Sequence, residues 1–301
     1  MSFRPAFVFH PDYEMNIGKH VFPTQKFRLI KERLIYEGAL TEGELLEAPK
    51  ASEAELLAVL EKDYLKDLRS YRHTSRTSRS ELPICESIVE GCATTAGGTL
   101  LAVEKAMHCG GACHIGGGFH HGFGDHAEGF CYINDVAVAA ANAKARGWAR
   151  RIAVIDTDVH QGNGTARIFS SDLDVFTFSI HQERLYPFVK EASDLDIGMP
   201  LFAGDEAYLD ALTQAVERVL KEHRPELVLY VAGVDPYRND VLGSLGISYE
   251  GMVRREQIVL GAAIAAHVPF VTITGGGYAR DVTETVALHA ETIMTAIELS
   301  A

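Results

Sequence analysis

Four apolar residues, Ile152, Ala153, Val154 and Ile155, run straight into Asp156, Asp158 and His160, and this join constrains the fold more than any other stretch. A short, β-branched apolar run predicts a strand buried on both faces. Residues two apart on a strand share a face, so the three polar side chains project together from the end of one buried element. Two carboxylates and an imidazole form a metal-ligand set. Gly162 and Gly164 follow, as expected where a strand of an open parallel sheet ends in a ligand-carrying loop at its carboxyl edge. A strand that merely stops in a polar loop would explain any one of these residues. Three of them at alternate positions call for partners elsewhere in the chain.

The rest of the sequence alternates between strand-like and helix-like segments. Further strands are expected at residues 6–9, 111–115, 174–180, 227–232 and 269–274. Helices are expected at 24–36, with Thr24 as a cap, and at 53–60, 63–68, 83–107 despite Gly97 and Gly98, 134–146, 204–223 and 249–267. This alternation predicts an α/β protein: one domain over residues 1–301, an open parallel sheet with helices on both faces and right-handed crossovers. The polar, basic stretch 70–81, SYRHTSRTSRSE, reads as a solvated loop between helices.

Composition narrows the function. With 301 residues, 47% apolar, the chain can bury a large core, and no run of about 18 apolar residues predicts a membrane span. The N-terminus lacks the apolar stretch and cleavage site of a secretory signal, so a cytoplasmic location is expected. The five cysteines, Cys85, Cys92, Cys109, Cys113 and Cys131, show no CxxC spacing and are expected as small buried residues. A formal charge of −13 opposes nonspecific binding to nucleic acid or anionic lipid.

Four strand ends carry polar residues beside glycines: His120 and His121, then Asp156, Asp158 and His160, then Asp235, and finally Tyr278. In a parallel sheet all four loops open at one edge, where distant residues can converge on a cleft. The set makes chemical sense together. A metal held by Asp, His and Asp acts as a Lewis acid and supplies hydroxide near neutral pH. The paired histidines can carry the proton to a leaving amine. Tyr278, after three glycines, can place its hydroxyl on a carbonyl oxygen as charge builds there. That describes amide hydrolysis. His10, His126, His181 and His289 are left as surface or locally hydrogen-bonded residues.

GGGFHH (116–121), GFCYIND (129–135), IDTDVHQGNG (155–164), AGVD (232–235) and GGGY (275–278), in this order and at these separations, resemble the zinc-dependent lysine deacetylases of the arginase and histone deacetylase superfamily. HQGNG, GGTL at 97–100 and SLGIS at 244–248 look most like the class IV branch and its bacterial relatives. The resemblance implies that Asp158, His160 and Asp235 ligate zinc. It implies that Asp156 hydrogen-bonds His120 and shares a monovalent-cation site, for potassium or sodium, with Ser179. His121 takes the part of general base and acid, His120 its electrostatic companion, and Tyr278 polarises the scissile carbonyl. Gly129 and Phe130, with Tyr186 opposite and Gly276 nearby, would line the channel that admits an acyl-lysine.

Asn163 stands where many deacetylases have Asp, and a neutral amide beside His121 raises its proton affinity less than a carboxylate would. PYRND at 236–240 also departs from the family pattern and is expected to alter the pocket rim. An oxygen-rich donor set does not select zinc alone; iron(II) is the second expectation, and manganese or cobalt would also fit. The expected substrate is the ε-acyl-lysine of a protein or peptide. The alternatives are an acetylated polyamine or other small N-acyl amine, and a non-catalytic acyl-lysine binder. An arginase-like guanidine hydrolase would need more carboxylates for its second metal.

Overall fold

The computed structural model describes residues 2–301. Eight strands form one sheet: β1 (Ala6–Phe9), β2 (Leu45–Glu47), β3 (Gly111–His114), β4 (Ile152–Asp156), β5 (Val175–Gln182), β6 (Leu195–Met199), β7 (Leu227–Val231) and β8 (Phe270–Ile273). Their order is β2-β1-β3-β8-β7-β4-β5-β6, and every neighbouring pair is parallel. The six predicted strands are all present. β2 and β6, which the sequence reading missed, are the two edges. Neither has an unbroken apolar run: β2 is two half-buried leucines and an exposed Glu47, and β6 (LDIGM) alternates half-buried residues with exposed Asp196 and Gly198 before a buried Met199.

Every residue of β3, β4, β7 and β8 is buried, the pattern of parallel strands covered on both faces. These four are also contiguous in the sheet. They are the strands whose ends carry the candidate residues, so sheet order alone brings those four loops side by side.

Among the described residues nine α-helices cover the sheet: α1 (Lys26–Tyr36), α2 (Glu53–Leu56), α3 (Lys62–Arg69), α4 (Glu86–Cys109), α5 (Asp135–Ala145), α6 (Asn163–Phe169), α7 (Asp205–Arg218), α8 (Tyr249–Ala265) and α9 (Val282–Ser300). α4 packs on α5 and on β1 and β3, while α7, α8, α9 and α1 pack in succession. Thr24 does not cap α1. The cap is Gln25, and the Thr24 hydroxyl instead donates to Met15 O at 2.7 Å. The helix expected over 53–60 stops at Leu56. α6 and α9 went unassigned in the sequence, although Asp281 with Glu284 three residues on is a start signal, and Asp281 caps α9 by accepting from Thr283 N.

α4 runs 24 residues and is buried on all sides through its middle, which explains the glycines inside it. The segment after β2 crosses so close that Ala51 N donates to Ala93 O at 3.0 Å, and a Cβ on Gly97 would collide with Pro49 O. Gly97→Ala is expected to cost about 1–3 kcal/mol, read as a lower urea midpoint at constant m value. Gly261→Ala in α8, where a Cβ meets nothing within 4 Å, should instead gain about 0.5–1 kcal/mol. Equal midpoints for the two variants would contradict the close-contact account.

Candidate active site

The floor of the site is built by three strand ends. Beyond β4 the chain turns so that Asp158 N donates to Asp156 Oδ1 at 3.1 Å and His160 N to Asp158 Oδ1 at 3.0 Å. The loop after β7 brings Asp235, whose Oδ1 accepts from Val159 N at 2.8 Å. The loop after β8 adds Gly276, whose N–H donates to Asp158 Oδ2 at 2.8 Å. His160 Nδ1 then lies 3.0 Å from Asp158 Oδ1 and 3.2 Å from Asp235 Oδ2.

Asp158, His160 and Asp235 are buried, with one ligand atom from each lying within 4.8 Å of the others. Two carboxylates facing one another in a dry site call for a shared cation. Burial, then the charge of Asp158, pushes Asp235 up to about 7. Burial alone would lower His160, but its bonds to Asp158 and Asp235 raise it to about 10. One imidazole and two carboxylates with ligand atoms this close together fit a divalent metal.

The histidine pair sits on the loop after β3, and the start of α5 pins that loop. Asn134 caps α5 through Ala137 N at 2.9 Å while its Nδ2 donates to His120 O at 3.2 Å and Gly122 O at 3.1 Å. Asp135 accepts from Phe119 N at 2.8 Å and Gly118 N at 3.1 Å. His120 Nδ1 meets Asp156 Oδ2 at 2.6 Å, and His121 Nδ1 meets Asn163 Oδ1 at 2.7 Å. The two rings are 4.2 Å apart between centroids, yet their environments drive them in opposite directions. Burial would lower His120, but the carboxylates of Asp156 and Asp158 outweigh it and raise the imidazole to about 9. Burial, with the charge of His120 and His160, holds His121 well below 6.5. Such a split is how two like groups take different acid and base roles.

A cavity of about 250 Å³ opens onto these groups. His120, His121, Asp158, His160 and Tyr278 line its depth, and Gly129, Phe130, Tyr186 and Gly276 line it as well. The Phe22 and Phe130 rings lie nearly parallel, 6.4 Å apart, and the Tyr186 ring stands edge-on to His121 at 5.2 Å. Burial and the nearby Asp158 and Asp235 push the Tyr278 phenol well above 10, so it keeps its proton.

Four contributors escaped the sequence reading. Lys26 is fully buried, donates to Gly275 O at 2.7 Å and lies 5.6 Å from the Tyr278 ring centre. Asp240, assigned to the rim, accepts from Tyr278 N at 2.6 Å and anchors that residue. His289 is buried with its Nε2 3.1 Å from Gly276 O, so it supports the glycine loop instead of standing apart. Glu128 accepts from Asn163 Nδ2 at 2.7 Å.

Other expectations need correcting. Stretch 70–81 is not a free loop: Ser80 O accepts from Phe130 N at 2.9 Å, Arg76 O from Ala127 N at 3.0 Å, and Glu81 lines the cavity. His181 is locally hydrogen-bonded as expected, Nδ1 lying 2.9 Å from the hydroxyl of Ser179, although it is buried and not at the surface. Cys92, Cys113 and Cys131 are buried, but Cys85 is exposed and Cys109 half-open. Asp156 and Ser179 are register partners on β4 and β5. Among the described residues no helix is long and apolar enough to cross a membrane.

An eight-stranded parallel sheet with a buried Asp-His-Asp donor set and a histidine pair at its carboxyl edge defines a protein of the arginase/deacetylase fold. Residues 20–294 match the histone deacetylase domain. The chain is 40% identical over 285 residues to an uncharacterized protein of Picosynechococcus sp., covering 94% of this chain and 95% of that one. It is 31% identical over 290 residues to histone deacetylase 2 of Arabidopsis thaliana, covering 93% of this chain and 75% of the relative. The crystal structure of an HDAC homolog complexed with SAHA superposes with a TM-score of 0.82 at 26% identity, covering 99% of this chain and 84% of that one. The chain belongs to the histone deacetylase family and is a deacetylase, an enzyme acting on amides.

The Asn163 contact sets a pH dependence. Replacing its amide with a carboxylate 2.7 Å from His121 Nδ1 raises the proton affinity of the imidazole. That imidazole would then become protonated at higher pH. In Asn163→Asp the acid limb of kcat/KM is expected to move up by about one pH unit or more relative to wild type. A limb displaced toward acid by that substitution would contradict this placement of His121.

Proposed function

We propose that residues 1–301 act as one catalytic domain that removes acyl groups from the ε-amine of lysine in proteins or peptides. The observation that carries this reading is that one cavity is lined by Asp158 and His160 of a metal-competent Asp-His-Asp set and by His120, His121 and Tyr278, which together could move a proton. Binding alone would need no relay. Asp158, His160 and Asp235 would hold the metal, zinc by first choice and iron(II) by second. When bound, that ion supplies a Lewis acid and makes nearby water acidic near neutral pH.

The chain's own groups account for the rest. His121, neutral because burial lowers its proton affinity, takes a proton from water and returns it to the departing lysine amine. His120, held beside Asp156, offsets negative charge developing in the site. Tyr278 donates its retained hydroxyl proton as a hydrogen bond to the acyl oxygen, where charge grows most. Phe130, Gly129 and Tyr186 exclude water from the lysine stem, and Gly276 presents backbone to it. Asp156 with Ser179, side by side on neighbouring strands, would form the monovalent-cation site for potassium or sodium. A cytoplasmic location belongs to the same reading.

One observation favours a second substrate class. Glu81 lines the cavity, and the chain carries a formal charge of −13, both of which suit a cationic small amine such as an acetylated polyamine. The test is hydrolysis of ε-acyl-lysine peptides from acetyl to long fatty acyl by metal-reconstituted protein. Tyr278→Phe should lower kcat about 10²–10³-fold while leaving metal content unchanged. Asp235→Ala should lose stoichiometric metal by elemental analysis. Turnover confined to acetylated polyamines would move the assignment to the small-amine reading. No turnover on either class by metal-loaded protein would refute both.

A further inference from the structure

An asparagine is an ambiguous partner for a catalytic histidine, because its amide presents oxygen on one side and nitrogen on the other. Only the oxygen accepts from Nδ1–H and so leaves the lone pair on Nε2, facing the cavity. The structure resolves the ambiguity from outside the site. Asn163 Nδ2 lies 2.7 Å from Glu128 Oε1, and an ionised carboxylate can only accept, so the amide must turn its nitrogen to Glu128 and its oxygen to His121.

Glu128 is itself held in place. Its side chain is 13% exposed and pairs with Arg79 Nη2 at 2.5 Å, and His126 Nε2 lies 3.5 Å from Oε2. Its backbone closes a tight turn, with Glu128 N to Cys131 O at 3.0 Å and Cys131 N to Glu128 O at 2.8 Å. The two residues between, Gly129 and Phe130, both have positive φ, at 49° and 65°, the pattern of a type I′ turn. A Cβ on Gly129 would press on His121 and Tyr186, so the turn that presents Glu128 also lets the cavity wall close on the base.

We infer that Glu128 is a positioning residue that fixes the tautomer of His121 by orienting the Asn163 amide, with Arg79 holding the carboxylate in place. The inference rests on the proposed role of His121 as the base. The Glu128 carboxylate thus acts on His121 at one remove, through the neutral amide of Asn163.

Wild type, Glu128→Ala, Asn163→Asp and the double variant form a cycle that tests this. Glu128→Ala alone should lower kcat about tenfold or more with KM little changed, because the amide can then turn either way. In the Asn163→Asp background the same change should cost nothing or give a gain, since a carboxylate needs no orientation and loses a like-charged neighbour. If Glu128→Ala is poorly folded, Glu128→Gln keeps the shape and should show a smaller loss with the same background dependence. An equal loss in both backgrounds marks a merely structural role and overturns the inference, as does no loss in wild type.

A readout without turnover is the ¹⁵N spectrum of histidine-labelled protein. His121 should be the Nδ1–H tautomer in wild type and a mixture with Nε2–H in Glu128→Ala. An unchanged tautomer overturns the inference even in a protein that hydrolyses nothing, so its failure is separable from that of the function.

Discussion

Three carboxylates are forced into one dry place, and the architecture around them follows from that. Asp156, Asp158 and Asp235 are 3%, 2% and 0% exposed. Burying such groups costs several kcal/mol each unless their oxygens find donors. The donors are mostly backbone: the N–H groups of Asp158, Val159, His160 and Gly276. In places the backbone passes so close to a carboxylate that no Cβ fits. Side chains at Gly162, Gly233 and Gly276 would collide with Asp156, Asp158 and Asp235 respectively. The glycines that punctuate the motifs are therefore a consequence of the buried acids.

The same demand extends outward through positive charge and capping groups. Arg255 of α8 is fully buried, donates to Gly233 O and Thr157 O, and pairs with Glu256. It thereby ties the loops after β7 and β4 from behind. Glu256 in turn accepts from the Tyr230 hydroxyl at 2.7 Å, so the wall behind the floor is hydrogen-bonded throughout. On the other side, Asn134 and Asp135 fasten the histidine loop, and Asp240 fastens Tyr278. A breaking change in any of these would shift the loops that carry the site residues.

What the sequence made legible were features whose signal lies in adjacent residues. The floor residues stand at period two beyond an apolar run, and the central strands are unbroken apolar segments, so sheet and site were readable together. Edge strands β2 and β6 were not, because an edge needs only half its residues buried and carries no continuous run. Lys26, Glu128 and His289 were invisible for another reason. Each earns its place by a contact to Gly275, Asn163 or Gly276, residues 249, 35 and 13 positions away, and no local pattern encodes such a meeting. The stretch 70–81 has loop composition and is a loop, yet its backbone holds the turn at Phe130.

The charges around the floor argue for the ion that belongs there. Asp156, Asp158, Asp235 and Asp240 are four carboxylates within one neighbourhood. Lys26, lowered by burial but held at about 8 by Asp235, Asp158 and Asp240, remains largely protonated at neutral pH. His120, raised to about 9, contributes a second positive charge. A metal held by Asp158, His160 and Asp235 would require the neutral imidazole of His160. The side-chain cations are fewer than the carboxylates, and one ligand atom from each of Asp158, His160 and Asp235 lies within 4.8 Å of the others. A cation held there would offset the excess of buried negative charge, a divalent ion more fully than a monovalent one.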